Sequence, residues 1–268
     1  ISDEKESNKP LSFEDMDMGW GTMVYTTTLP EVKVGATLTG EFHDFAQVYL
    51  NGKYVGKIDR VKNEKSLELP AAAAGSELTI VVEGMGRINF GRAIKDYKGI
   101  IGNVSISTSD EVCDITLSPK QWNNQTIPDD YTTAAKALDA PQNKMRGLQT
   151  RAGYYRGYFN ISKVGDTFIN MEAFGKGQVY VNGHALGRFW QIGPQQTLYL
   201  PGCWLKKGKN EVVVLDVVGP KGEAGKIGST VAPTAFCQDH PELDKLNLEK
   251  SNKHNEPGHR MDLNSDTP

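Results

Sequence analysis

Residues 178–201 read Gln-Val-Tyr-Val-Asn-Gly-His-Ala-Leu-Gly-Arg-Phe-Trp-Gln-Ile-Gly-Pro-Gln-Gln-Thr-Leu-Tyr-Leu-Pro, and this stretch decides the fold. Residues 179–181 are predicted to be a strand. Asn182-Gly183 is the dipeptide that most readily takes the positive φ angles of a tight hairpin turn. Gly187 is expected to mark a bulge in the returning strand. Residues 198–200 predict a third short strand.

The same pattern occurs earlier in the chain. Val-Tyr-Leu-Asn-Gly-Lys-Tyr-Val-Gly-Lys at residues 48–57 matches residues 179–188 at an offset of 131 residues. Leu-Glu-Leu-Pro at residues 67–70 matches residues 198–201 at the same offset. Two separate segments seldom share one offset by chance, so the chain is predicted to use one β module twice.

The length of 268 residues allows one to two domains, and the repeat favours two. Many short strands between Gly, Pro and Asn turns predict an all-β chain of two tandem domains with β-sandwich or jelly-roll architecture. Weak helical character is confined to residues 131–138, and residues 122–128 are expected to be a loop or an edge strand. The predicted segments are a linker (1–12), a first sandwich (13–112), a second sandwich (113–248) and a polar tail or linker (249–268).

Composition argues against several classes of partner. The net charge is −3, and no basic patch interleaves with aromatic residues, which disfavours nucleic acid. No apolar run approaches the roughly 20 residues that span a bilayer. Because residues 1–7 contain neither an initiator Met nor a signal peptide, we expect an internal cut in a longer polypeptide.

No residue is predicted to be catalytic or to bind a metal or cofactor. Nucleophile, phosphate-loop and zinc-protease motifs are absent from the sequence. Glu172 and Asp216 are the least ordinary carboxylates, and structural salt bridges are the expected role for both. His184 is expected to be exposed, and residues 206–210 are expected to be a solvated turn. The three cysteines, which lack close spacing, are expected to be buried thiols: Cys113, Cys203 and Cys237.

Two tryptophans have competing interpretations. Pyranose rings pack well on indole rings, so an exposed Trp190 would suit a sugar platform. The competing interpretation is that a β-sandwich fills its core with Trp and Tyr. For Trp190 the two interpretations stay open, whereas Trp204, beside Leu205 at a strand end, is expected in the core.

Several segments of the second copy together resemble the C-terminal β domain of glycoside hydrolase family 35 β-galactosidases: Tyr-Arg-Gly-Tyr-Phe (155–159), Gly-Lys-Gly (175–177), residues 181–201 and Trp-Leu-Lys-Lys-Gly (204–208). The first copy is similar to the preceding β domain of that family: Trp20-Gly21, Tyr25-Thr26-Thr27, Met-Gly-Arg-Ile-Asn-Phe-Gly (85–91) and Lys98-Gly99-Ile100. The resemblance implies that both sandwiches are galactose-binding-domain-like jelly rolls.

In that family catalysis belongs to a separate TIM barrel, which carries two glutamates in a retaining, exo-acting mechanism. No segment here matches the barrel. The resemblance therefore implies that this chain alone is inactive and packs against the barrel of the same polypeptide, with β-galactoside glycans as ligands. An oligomer is compatible with it, and a secreted, periplasmic or lysosomal location is expected from it.

The resemblance also implies that residues 87–91 border the sugar pocket. Arg87, Asn89 and Phe90 are the candidate rim residues, with Trp190 as a further sugar-binding candidate. Phe90 replaces a Tyr common in the family and so loses a hydroxyl. The leading hypothesis is a non-catalytic part of a β-galactosidase that shapes the substrate side. The alternatives are a carbohydrate-binding module for galactose-containing glycans and a purely structural or oligomerisation module.

Overall fold

The structure is a computed structural model that describes residues 3–116 except 93, 122–139 except 128, 148, 151–220 except 194 and 195, and the backbone of 228–230. Contacts divide these residues into two units. The first contains the residues up to Asp129 together with Leu148, and the second contains the helix and the residues from Arg151 onwards.

The first unit is built from ten strands: β1 (Glu4–Ser7), β2 (Gly21–Thr28), β3 (Thr37–His43), β4 (Phe45–Leu50), β5 (Lys53–Asp59), β6 (Ser66–Glu68), β7 (Glu77–Gly84), β8 (Gly99–Ser107), β9 (Val112–Asp114) and β10 (Trp122–Ile127). A six-stranded sheet has the order β1-β10-β2-β7-β4-β5, and a four-stranded sheet has the order β6-β3-β8-β9. All these pairings are antiparallel.

The core of the first unit lies between these two sheets. Tyr25 and Val48 come from the larger sheet, Leu38 and Ile100 come from the smaller one, and all four are buried. Successive side chains of a strand point to opposite faces. A second cluster of Val24, Tyr49 and Val81, with Leu148 packed against it, therefore covers the outer face of β2, β4 and β7.

The second unit contains seven strands and the helix α1 (Tyr131–Asp139). The strands are β11 (Gly153–Ile161), β12 (Thr167–Asn170), β13 (Lys176–Val181), β14 (His184–Trp190), β15 (Thr197–Leu200), β16 (Gly208–Asp216) and β17 (Gly228–Thr230). One sheet has the order β11-β16-β13-β14, and the other has the order β15-β12-β17. The helix lies where weak helical character was predicted.

Alternation along β13 and β16 gives the second unit two apolar faces. Val179 and Val212 belong to the core between the sheets. Their neighbours Tyr180 and Val213 point the other way and pack on Ala134 of α1. The all-β sandwich architecture predicted from the sequence is therefore confirmed in both units.

The predicted repeat is also confirmed. Both turn asparagines, Asn51 and Asn182, have φ of 48°, and the glycines that follow them have φ of 77° and 87°. A register shift lies at Val48/Tyr49 in the first hairpin and at Val179/Tyr180 in the second. Gly187, which pairs with Val179, lies at the predicted bulge and has φ of 139°.

The beginning and end of the first unit differ from the prediction. Strand β1 lies within the expected linker and pairs with β10, which is an interior strand rather than a loop or an edge. The fully buried Asn124 explains the difference, because its side chain accepts from Leu11 N and donates to Lys5 O, both at 2.9 Å. The expected boundary after residue 112 falls inside β9, whereas the contacts place the end of this unit at Asp129.

Other expectations concern single side chains. Cys113 is half-buried and Cys203 is exposed, so the expectation of buried thiols is wrong for these two. Cys237 and the polar tail lie outside the described residues. His184 is exposed as expected and stacks on Trp204, with a ring separation of 4.7 Å. Trp204 is only partly buried and packs against the core from its edge.

Candidate functional site

Three of the four candidate residues lie on the loop between β7 and β8, residues 85–98. Lys98 fixes one end of this loop, and its side chain is only 1% exposed. The Lys98 ammonium donates to Asp44 Oδ2 at 2.7 Å, to Asp96 Oδ2 at 2.8 Å and to the Gly86 carbonyl at 3.2 Å. A buried ammonium needs such partners because its desolvation is costly.

Arg60 completes a cluster of four charges. It follows β5, and its Nη1 donates to Asp44 Oδ1 at 2.7 Å and to Asp96 Oδ1 at 2.9 Å. Asp44 also accepts the backbone N–H of Met85 at 2.6 Å. We call Asp44, Arg60, Asp96 and Lys98 the ionic clasp. It ties both ends of the loop to the body of the first unit.

The carboxylates of the ionic clasp are ionised at neutral pH. Burial alone would raise the pKa of Asp96, but hydrogen bonds from Lys98 and Arg60 outweigh it and lower that pKa to about 2. Burial likewise opposes ionisation of Asp44, yet hydrogen bonds from Lys98, Arg60 and Met85 hold its pKa below the ordinary value.

A histidine links the loop to β3. His43 Nδ1 lies 2.6 Å from the carbonyl oxygen of Tyr97, and its Nε2 lies 2.8 Å from Glu41 Oε1. Nδ1 is also 3.4 Å from Asp96 Oδ1. His43 is buried, so these contacts add a second attachment beside the ionic clasp.

Arg87 braces the loop from outside. Its Nη2 donates to the Gly19 carbonyl and its Nη1 to the Asp96 carbonyl, each at 2.8 Å. The same guanidinium pairs with the carboxylate of Glu14. Arg87 thus joins the 85–98 loop to residues 14 and 19 of the same unit.

Asn89 and Phe90 occupy the exposed part of the loop. Phe90 is 90% exposed, and Ile94 is 62% exposed. Trp20, next to the Gly19 that Arg87 binds, is 52% exposed. Phe90 and Ile94 are thus two large apolar side chains of one loop that are exposed to solvent. The loop therefore has ends that are held by ion pairs and an exposed middle part that carries Phe90 and Ile94.

Trp190 lies in the second unit, at the end of β14. It is half-buried, and the Lys176 ammonium lies 4.4 Å from its ring centroid. Lys176 is itself only 3% exposed. This cation–π contact occupies one face of the indole. Trp190 is therefore neither a fully buried core residue nor a two-sided platform.

The ionic clasp was missed by the sequence analysis. Its members are separated along the chain, and nothing local pairs Asp44 and Arg60 with the Asp96-x-Lys98 segment. The local sequence gives one indication of it: Lys98 directly precedes an apolar strand, and side chains at the start of such a strand are often buried.

The two carboxylates that were singled out from the sequence differ in burial. Asp216 is fully buried and accepts backbone N–H groups from Gly175, Lys176, Val218 and Gly219 at 2.8–3.1 Å. Asp216 therefore joins the start of β13 to the segment after β16, and it forms no salt bridge with another described residue, so the expected role is wrong for it. Glu172 is exposed. Among the described residues no cluster of His, Cys, Asp and Glu could hold a metal ion, and no helix is long and apolar enough to cross a membrane.

Family models match both units. The model of the β-galactosidase first all-beta domain matches residues 10–118, and the model of the β-galactosidase galactose-binding domain matches residues 152–210. The first match contains the ionic clasp and the whole 85–98 loop. The second contains Trp190.

Individual relatives that align with most of this chain agree with the two family models. Human beta-galactosidase-1-like protein 2 is 31% identical over 229 residues, which are 80% of this chain and 33% of the relative. Bovine beta-galactosidase is 33% identical over 234 residues, 78% of this chain and 34% of the relative. Rice beta-galactosidase 8 is 30% identical over 249 residues, 81% of this chain and 37% of the relative.

The chain thus spans about a third of the length of these relatives. The first all-beta model matches residues of the first structural unit, and the galactose-binding model matches residues of the second. Residues 10–118 are therefore similar to a β-galactosidase first all-beta domain, and residues 152–210 are similar to a β-galactosidase galactose-binding domain.

Proposed function

We propose that this chain is the non-catalytic C-terminal part of a retaining exo-β-galactosidase of glycoside hydrolase family 35. In this proposal a TIM barrel of the same polypeptide breaks the glycosidic bond, and the two sandwiches support it. The support comes from the two domain matches and from relatives that are about three times as long as the matched region. Retaining hydrolysis needs two carboxyl groups about 5–5.5 Å apart, which the proposal assigns to the barrel.

The finer part of the proposal concerns the 85–98 loop, which borders the galactose pocket of the barrel. The observation that carries it is the 90% exposure of Phe90 on a loop fixed by four charged groups. A rim that is already rigid loses little conformational freedom when a substrate or a second domain covers it.

Each rim residue has a separate role in this proposal. The Phe90 ring packs on an apolar sugar face and donates no hydrogen bond, because it has no hydroxyl. The Asn89 amide offers both a donor and an acceptor to sugar hydroxyls. Arg87 positions the rim through its contacts with Gly19 and Asp96.

The experiment compares two variants of the full-length enzyme. Phe90→Ala is expected to lower kcat/KM for a β-galactoside about tenfold, the loss of roughly 1.4 kcal/mol of transition-state binding. Val34→Ala is the matched control. It is 87% exposed and precedes β3, whose far end carries His43 beside the loop. Equal kcat/KM for both variants would remove Phe90 from the substrate rim.

The 268-residue chain alone is expected to release no chromophore from a chromogenic β-galactoside. Residual hydrolysis from a contaminating enzyme is recognised by repeating the assay on the Glu172→Gln and Asp216→Asn variants. Turnover by the chain that either substitution abolishes without lowering the Tm would refute the assignment of catalysis to a separate barrel.

A second candidate function is glycan binding by the second unit, which the galactose-binding domain match supports. Titration of the chain with galactose, in parallel with a Trp190→Ala variant, tests it. Trp190→Ala is expected to weaken binding only modestly, because Lys176 already covers one face of the ring. Absence of saturation at millimolar galactose would exclude a neutral galactose site.

A further inference from the structure

A cleft of about 390 Å³ lies in the second unit, at the end where its Asn-Gly turn and the start of α1 meet. Its lining residues are Tyr131, Tyr158, Asn182, Lys206, Lys209 and Glu211. This volume falls within the roughly 300–1,000 Å³ of small-molecule sites. The cleft is separate from Trp190 and was not singled out from the sequence, where residues 206–210 were expected to be a solvated turn.

Two asparagines fix the walls of this cleft. Asn182 Nδ2 donates to the Trp204 carbonyl and to Asn210 Oδ1, each at 2.8 Å, and its Oδ1 accepts from Glu211 N at 2.9 Å. The side chain of Asn210 is fully buried. Its Oδ1 accepts from the Lys206 N–H at 2.9 Å, and its Nδ2 donates to the Lys206 carbonyl at 2.8 Å. The loop that carries the cleft lysines is therefore ordered before any ligand arrives.

The cleft offers hydrogen-bond acceptors and donors together with an excess of positive charge. The Glu211 carboxylate accepts from the Tyr131 hydroxyl and pairs with Arg156 Nε at 3.0 Å. Arg156 Nη1 also pairs with Asp139 at 2.5 Å, so Lys206, Lys209 and Arg156 together outnumber the two carboxylates by one charge. Lys209 Nζ lies 3.7 Å from the Tyr158 ring centroid. Among the described residues neither Lys206 nor Lys209 forms a salt bridge, which leaves two ammonium groups available to an anion.

The first unit supplies an internal comparison. Its turn residue Asn51 accepts from Glu77 N at 2.9 Å, as Asn182 does from Glu211 N. Thr28 pairs with Glu77 where Tyr158 pairs with Glu211. The connection before Glu77 is Ala-Ala-Ala-Ala-Gly-Ser (71–76), whereas the longer connection before Glu211 (202–210) carries the lysines. The equivalent hairpin of the first unit therefore forms the same turn contact with a connection that has no lysine.

We propose that this cleft binds an acidic saccharide, a sugar residue that carries a carboxylate. The ammonium groups of Lys206 and Lys209 bind the carboxylate, while Glu211 and the tyrosine hydroxyls bind sugar hydroxyls. A simple anion would gain nothing from the Glu211 carboxylate, and a neutral sugar would gain little from the two lysines. The proposal deepens the glycan-binding candidate for the second unit, since it names the site and the charge of the ligand.

The test is calorimetric titration of the 268-residue chain with D-galacturonate, with D-galactose and acetate as comparison ligands. Saturable galacturonate binding that weakens as salt rises is expected, because exposed charges are screened over about 10 Å at 0.1 M salt. The Lys206→Ala/Lys209→Ala double variant is expected to lose at least about tenfold in affinity. Lys207→Ala is the matched control, since Lys207 is exposed on the same loop but does not line the cleft.

Other outcomes decide between parts of the proposal. Galactose that binds as tightly as galacturonate would overturn the acidic ligand while keeping glycan binding by this unit. Acetate that binds as tightly would overturn the saccharide. No saturable galacturonate binding, or an equal loss in Lys207→Ala and in the double variant, would overturn the site. Both variants replace only exposed side chains, and an unchanged Tm verifies that each one folds.

Discussion

The two units share one hairpin scaffold but carry their distinctive side chains at opposite ends of the corresponding strand. In the first unit the end of β7 leads into the ionic clasp and the 85–98 loop. In the second unit β16 pairs with β13 as β7 pairs with β4 in the first. The start of β16 adjoins the connection that carries Lys206 and Lys209 of the cleft. The difference teaches that the repeated turn and bulge preserve the sheet, while the connections beyond it are free to diverge.

The largest effect is expected from the ionic clasp, which belongs to the first unit. Lys98→Met would leave Asp44 and Asp96 buried with Arg60 as the remaining cation. Removal of one partner from a buried ion network costs about 3–5 kcal/mol. Urea unfolding, followed by amide exchange of β7, measures the loss.

Lys95→Met is the control for this prediction, because Lys95 is an exposed lysine of the same loop. It lies 5.3 Å from the Tyr97 ring centroid and is expected to contribute about 1 kcal/mol or less. A Lys98→Met variant as stable as Lys95→Met would mean that the ionic clasp does not stabilise the first unit, and the proposed difference between the units would then be wrong.

Acid should weaken the clasp. The pKa of Asp96 is about 2 in the folded chain, below the ordinary value of about 4, so ionised Asp96 stabilises the fold at neutral pH. That contribution is complete above about pH 5 and is lost as the pH falls through 4 towards 2. Amide exchange of β7 and β8 between pH 6 and pH 2.5 measures it.

The Asp96→Asn variant sharpens the acid experiment. It cannot be protonated, so its stability is expected to be lower at pH 7 and to fall less steeply on acidification. An Asp96→Asn variant with the same acid profile as the unmodified chain would assign the acid sensitivity to other carboxylates.

The turn asparagines provide a smaller, direct comparison of the units. Asn182→Gly is expected to cost about 2 kcal/mol, because Asn182 is part-buried and forms three hydrogen bonds. Asn51→Gly is expected to cost about 1 kcal/mol, because its two bonds are exposed. Glycine keeps the positive φ available, so thermal unfolding of both variants isolates the side-chain bonds. Equal losses in the free energy of unfolding would mean that the additional hydrogen bond and the burial of Asn182 do not stabilise the second unit.

The smallest effect on stability is expected at Phe90. Its side chain is 90% exposed, so Phe90→Ala should change the free energy of unfolding by no more than about 0.5 kcal/mol. Urea unfolding beside Val34→Ala measures this. A loss of several kcal/mol would mean that Phe90 is a packing residue of the first unit.

Local patterns in the sequence were sufficient for the repeat and the hairpins. Turn type and bulge depend on neighbouring residues, which is why Asn182-Gly183 and Gly187 predict them. The weak helical character of residues 131–138 was likewise a local signal. Sheet membership is not local. Strand β10 carries the polar Asn124, whose burial makes sense only with β1 and Leu11 beside it.

The candidate site was predictable only in part. Resemblance to a known family indicated residues 87–91 as candidates, but the ion pairs that hold the loop join side chains from three distant segments. The cleft of the second unit was missed for the same reason, since Tyr131 and Glu211 meet only after α1 packs on β16. Ion pairs and clefts that depend on tertiary packing leave no periodic pattern in a sequence.

The most direct test of the central claim is hydrogen exchange of the 85–98 loop in the 268-residue chain and in the full-length enzyme. If the loop borders the catalytic barrel, its amides are predicted to exchange more slowly in the full-length enzyme, while those of residues 31–36 exchange equally in both. Equal exchange of the 85–98 loop in the two proteins, or protection of residues 31–36 alone, would contradict the account.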